Sequence, residues 1–155
     1  MDRPSWAPVV LSGALPREVS DLVAIAIIEL AALQTLLSQP QSLIGLNFSW
    51  IMILLVPLTS VLAAMSNSPN REREELALIA YGGSATQIEL RYFLRGGIIT
   101  TIGLLPLVLR ILLDLTRVLP SLLGLAALII LGALTYAIPA LRRTRSLSFV
   151  EQYKG

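Results

Sequence analysis

The chain contains neither cysteine nor histidine. That excludes disulfides, thiol chemistry, the commonest metal ligand and the usual general base together. Carboxylates and arginines are what remain for chemistry. Outside the N-terminal and charged segments, the acids are Glu29 and Asp114, which belong to different apolar runs and should lie at different depths. They make a poor acid–base pair, so no catalytic residue is assigned. There is no G-x-x-x-x-G-K-[ST] loop, and the single lysine is Lys154, which excludes nucleotide binding in the usual way. Basic patches interleaved with aromatics are absent, so no nucleic-acid partner is expected, and no metal or cofactor site is indicated.

Glu29 lies in an apolar run. An intramembrane carboxylate is expensive and often marks a polar path or a partner cation. The alternatives are that it faces an aqueous groove or a neighbouring subunit's donor, or that its helix never enters the membrane. The main concentration of charge is elsewhere, at Arg71, Glu72, Arg73, Glu74, Glu75, Glu89 and Arg91, between two long apolar blocks. Charged residues there, with a Gly82-Gly83 break, make a device for touching something soluble.

The elements that would hold this stretch follow from composition. Apolar residues are 55% of the chain, charged residues only 14%, and mean hydropathy is +0.75. Soluble domains carry roughly 25% charge, so this composition belongs to a membrane protein. The 155 residues leave room for about four spans of ~20 residues and little else. A net charge of +2 is a small imbalance rather than a footprint for a polyanion.

Residues 1–20 form a Pro-punctuated lead in which Trp6 can sit at a membrane interface. No basic-then-apolar order of a signal peptide is evident there. Residues 21–38 open with Asp21 as a helix cap and continue as an apolar run, either a short first span or an interfacial helix. Gln39–Asn47 is a turn. Residues 48–66 form an uncharged span with Pro57 inside, whose freed carbonyls Thr59 and Ser60 can satisfy. Residues 67–92 are the charged loop. Ser68-Pro69 is a helix-start signal, Gly82-Gly83 a stop, and Ser84-Ala85-Thr86-Gln87 a capping box for the next helix. Residues 93–115 form the next span, bracketed by Arg95 and Arg110. Small residues four apart, Gly96/Thr100 and Gly97/Thr101 with Gly103, suit close helix packing against a second copy. Residues 118–141 form the last span, ending at Pro139, and 142–155 are a basic tail. Arg71, Arg73, Arg91 and Arg95 fall on the same side as Arg142, Arg143, Arg145 and Lys154. By the positive-inside rule, the charged loop and C-terminus are cytoplasmic.

Glu74-Glu75-Leu76-Ala77-Leu78-Ile79, then Gly82-Gly83-Ser84 and Gln87-Ile88, resembles the cytoplasmic signature of FtsX/MacB-like (type VII) ABC transporter permeases. The tail Pro139-Ala140-Leu141-Arg142 through Arg145, then Leu147-Ser148-Phe149-Val150-Glu151, is similar to that family's closing pattern. The likeness covers about two thirds of the chain, from Phe48 to Lys154. It implies an all-α membrane protein of four spans, with a short coupling helix after the second that docks on a separate ATPase. Glu74, Glu75, Leu76, Leu78, Gly82, Gly83 and Ser84 would then form the docking element, with one of the two glutamates standing for the family's acid. Phe149 stands where the family has proline. The family's large extracytoplasmic domain between the first two spans has no counterpart in Gln39–Asn47.

The function this implies is a non-catalytic permease or mechanotransmission subunit in the cell membrane, needing no cofactor of its own. Its partners would be a cytoplasmic ABC ATPase, a second permease copy or paralogue, the lipid bilayer and a separate extracytoplasmic-domain protein. The competing reading is a non-transporting scaffold or assembly factor that recruits a cytoplasmic protein through residues 71–92.

Overall fold

Long apolar runs satisfy their backbone groups most economically within the segment, as helix. In the computed structural model, which describes residues 7–38, 46–66, 69–80, 84–113 and 118–152, every regular element among these residues is helical. The order is α1 (Ala7–Ala14), α2 (Val19–Ser38), α3 (Leu46–Met65), α4 (Pro69–Ala80), α5 (Ala85–Gly103), α6 (Leu105–Leu113) and α7 (Val118–Gln152). Trp6, most of the Gln39–Asn47 turn, Ser68, Gly82, Gly83, Asp114 and Lys154 lie outside the described residues.

Four helices stand at the corners of a bundle. α2 packs on α3 and α5, and α7 packs on the same two, so α2 and α7 occupy one diagonal. α1 lies against α5, and α6 packs on α2 and α7. The apolar core has two parts. One gathers Ala24, Ala63, Ile88, Ile99, Tyr136 and Ala140 at the end of the bundle where α4 sits. The other joins Ile28, Ala32, Met52, Val56, Leu104 and Leu107 further along.

Small residues set how closely the corners approach. A Cβ on Gly96 would fall 2.5 Å from Tyr136 Cβ, one on Gly132 2.1 Å from Thr100 Oγ1, and one on Gly103 2.8 Å from Ile28 Cβ. The Gly96/Thr100/Gly103 face, expected to meet a second copy, is therefore spent inside the chain against α7 and α2. Sequence spacing identifies a face that admits a close neighbour; it does not say which helix that neighbour is.

α2 over Val19–Leu37 and α7 over Ser121–Arg142 are long and apolar enough to cross a membrane, and α5 with α6 make a third if the bent pair is one span. The apolar part of α3, Ile51–Met65, is shorter. Two or three such helices therefore stand where four spans were expected. The third run is not continuous. α6 leaves α5 at 58°, with the break at Leu104, where ψ is 4°. Pro106 has no N–H for the Ile102 carbonyl, and its ring crowds that same carbonyl.

Two other proline expectations change. α7 does not end at Pro139 but runs through it to Gln152, absorbing much of the expected tail into one helix of 35 residues. Thr59 donates to the Leu55 and Val56 carbonyls, at 2.8 and 3.1 Å. It does not reach the carbonyl of Ile53, which is the one Pro57 leaves unbonded. The outward faces are strongly apolar: Leu30, Leu37, Leu54, Leu58, Leu62 and Leu113 are all exposed. A surface of that kind suits hydrocarbon better than water.

Candidate functional site

Where α4 meets the bundle, five polar side chains from separate parts of the chain converge out of water. Asp21 stands in the first turn of α2 and is fully buried. It is not the cap expected from sequence. α2 begins at Val19, and the carbonyl of Glu18 receives the first backbone bonds, from Asp21 and Leu22. The freed Asp21 carboxylate turns inward. Its Oδ1 accepts from Arg71 Nη2 at 3.1 Å and from the Tyr136 hydroxyl at 2.7 Å. Its Oδ2 accepts from Arg95 Nε at 2.8 Å and also from Arg95 Nη2.

Arg71 ties the most elements together. Its Nη1 donates to the carbonyls of Ala63 and Ala64, each at 3.2 Å, covering the C-terminal turn of α3. A cation there also meets the negative end of the helix dipole. Nη2 donates to Tyr136 Oη at 2.9 Å, and the guanidinium carbon lies 5.6 Å from the centre of the Tyr136 ring. Nε lies 2.5 Å from Glu18 Oε2, an ion pair whose angles fall outside hydrogen-bond geometry. Glu18 Oε1 stands 3.7 Å from Arg95 Nη2. Two arginines thus balance two carboxylates, and one guanidinium joins the start of α2, the end of α3, α4 and α7.

Around this centre α4 is fastened to α5. Arg91 pairs with Glu74 at 2.6 Å, and the Tyr92 hydroxyl donates to Glu75. Arg91 passes over Gly13 of α1, where any Cβ would fall on its guanidinium, 1.7 Å from Nε. The Tyr92 ring lies 6.2 Å from that of Tyr136. The crevice beside these groups, between Arg71, Glu75, Arg91 and Arg95, admits about one water.

The residues expected to dock an ATPase divide by orientation. Glu74 and Glu75 reach toward α5, and Leu78 is half-buried against the core. Leu76 is 61% exposed, and Arg73, Ala77, Ile79 and Ala80 share the open side of α4. Ser84 caps α5 as the sequence indicates. Its Oγ accepts from Gln87 N at 3.4 Å, and Gln87 Oε1 accepts from Ser84 N at 3.1 Å. Gly97 and Thr101, the second small pair, line an open apolar groove of about 330 Å³ with Phe93, Ile130 and Ala133.

The buried cluster was not legible as a site. In the sequence Asp21 stands as a helix cap, Arg71 as one charge of the charged stretch, and Arg95 as a bracket of an apolar span. Their bonds span 50, 74 and 115 positions. A usable signal existed: each of the three charges falls at the boundary of an apolar run, on the same end of the bundle. Chemically the cluster is closed. Both Asp21 oxygens are engaged, Tyr136 both donates and accepts, and there is no room for a substrate. It is built as a fastening.

Among the described residues no group of three or more potential metal-ligating side chains occurs. No protein-family model, curated protein or solved structure matches the chain. Fold and site together define an all-helical chain with two or three helices able to cross a membrane, and a charged helix clamped across one end of them.

Proposed function

We propose that this chain is the non-catalytic membrane subunit of an ATP-driven transporter or mechanotransmission complex, lying in the cell membrane with its charged loop and C-terminus in the cytoplasm. A separate ABC-type ATPase docks on α4, and its nucleotide-driven motion is passed to the spans. A second membrane subunit and an extracytoplasmic-domain protein complete the assembly.

The observation that carries this reading is the fastening of α4. A solvated loop between two spans needs only charge to stay in water. This helix instead has its first turn bound through Arg71 to α2, α3 and α7, while Leu76 and Ile79 remain exposed on its other side. A push on that open face is carried into three other helices by short polar bonds. Glu74 and Glu75 serve this by fixing α4 to α5, which leaves Leu76, with Arg73 and the start of α5 at Ser84, as the contact surface.

The test is co-purification from the native membrane. Leu76→Asp should remove an ATPase subunit from the complex while the chain remains inserted and its thermal midpoint is unchanged. An ATPase retained by the variant, or a partner without ATPase activity released by it, overturns the proposal.

A further inference from the structure

α2 carries two carboxylates with opposite surroundings. Asp21 has partners on both oxygens, whereas Glu29, two turns further on, is exposed and bonded to no described residue. Glu29 is at the middle of the 19-residue apolar stretch Val19–Leu37. At 1.5 Å per residue it stands about 12 Å along the axis from Asp21. Its neighbours on the same face, Leu22, Ala26 and Leu33, are exposed as well. Their positions step by four, three and four residues, the spacing with which one helix receives another in knobs-into-holes packing.

If α2 crosses the bilayer, this arrangement puts a carboxylate against hydrocarbon at mid-depth, where it is costly unless paired. The chain offers it no cation among the described residues. Arg71 and Arg95 are held at the start of α2, and Arg91 is held by Glu74. Arg17, just before α2, belongs with Arg73 and Arg142 to the same charged end, and Arg110 lies beyond the bend, toward the other end. Placing α2 of a second copy on this face about a two-fold axis would bring Glu29 to Glu29, like charge to like.

We infer that the Leu22–Ala26–Glu29–Leu33 face of α2 is an interface for a membrane-spanning helix of a different protein, one that presents a lysine or arginine to Glu29 at mid-bilayer. The apolar residues give close packing and the ion pair fixes the register, a use for which a single buried polar contact is well suited. The interface is on the bundle's side rather than at α4, so it stands or falls independently of ATPase docking.

The experiment uses the full-length chain in its native membrane, with a photo-crosslinking amino acid replacing Ala26 or Leu33 and adducts mapped to peptides by mass spectrometry. The expected adducts lie on a span of another protein containing a lysine or arginine. Glu29→Gln should lower the yield several-fold, and Glu29→Lys at least tenfold. Changing the partner's cation to glutamate should restore crosslinking to the Glu29→Lys chain. Adducts confined to lipid, to α2 of a second copy, or to a span without a cation overturn the inference. So does a yield unaffected by Glu29→Gln, the variant that keeps size and shape should Glu29→Lys fail to insert.

Discussion

The two ends of the α5–α7 contact are built differently. At the α4 end, four charges and a tyrosine hydroxyl meet, with Asp21, Arg71, Arg95 and Tyr136 all buried. Further along, the same helices meet through Thr100 and Gly132, where backbone approaches side chain and no charge is involved. Close packing holds two helices at one distance but tolerates small slides. The ionic end tolerates little, because each bond depends on the direction of a guanidinium or carboxylate. The charged end is therefore the more rigid of the two.

That contrast can be broken first at its charged end. Asp21→Ala leaves two arginines buried with only Glu18 nearby, and removing one member of a buried ionic network costs about 3–5 kcal/mol. A denaturant titration in detergent should show the largest loss of stability for this variant. The packed end should come next. Gly132→Val drives a side chain into Thr100, and overpacking of this kind costs about 1–3 kcal/mol. It should move the unfolding midpoint while leaving the separation of α4 from α2 unchanged.

Finer substitutions sharpen the comparison. Tyr136→Phe removes one hydroxyl that bonds both Asp21 and Arg71 while retaining the ring, and should cost about 1.5–3 kcal/mol, the range for bonds to charged groups. Ser84→Ala, outside the cluster, removes half of a capping box and should cost about 1 kcal/mol, read from the same titration. The exposed Arg91–Glu74 pair should contribute least, under about 1 kcal/mol, and its effect should fade in high salt.

What was legible in the sequence was what is local. Ser84 and Gln87 are three apart, so the capping box needed no tertiary structure to be recognised. The helical character of the apolar runs and the charged helix between them follow from composition and caps. Pro139 misled because a proline ends a helix only when nothing else holds the next turn, and here α7 continues through it. The third apolar run, expected as one span over residues 93–115, is broken in two just before Pro106. Nothing in the sequence joins Asp21, Arg71 and Arg95, since charge at a run's edge is ordinary and only the fold brings three edges together. The resemblance gives Glu74 and Glu75 a docking role, whereas in the fold α5 supplies Arg91 and Tyr92 to receive them.

The central claim is that buried ionic bonds fix α4 to the bundle, and spin labels replacing Leu76 on α4 and Leu30 on α2 measure it directly. Pulsed electron resonance should give one narrow distance distribution for the otherwise unaltered chain and a markedly broader one after Asp21→Asn. An equally narrow distribution in that variant would mean that α4 is held by something other than the cluster, and would contradict the account.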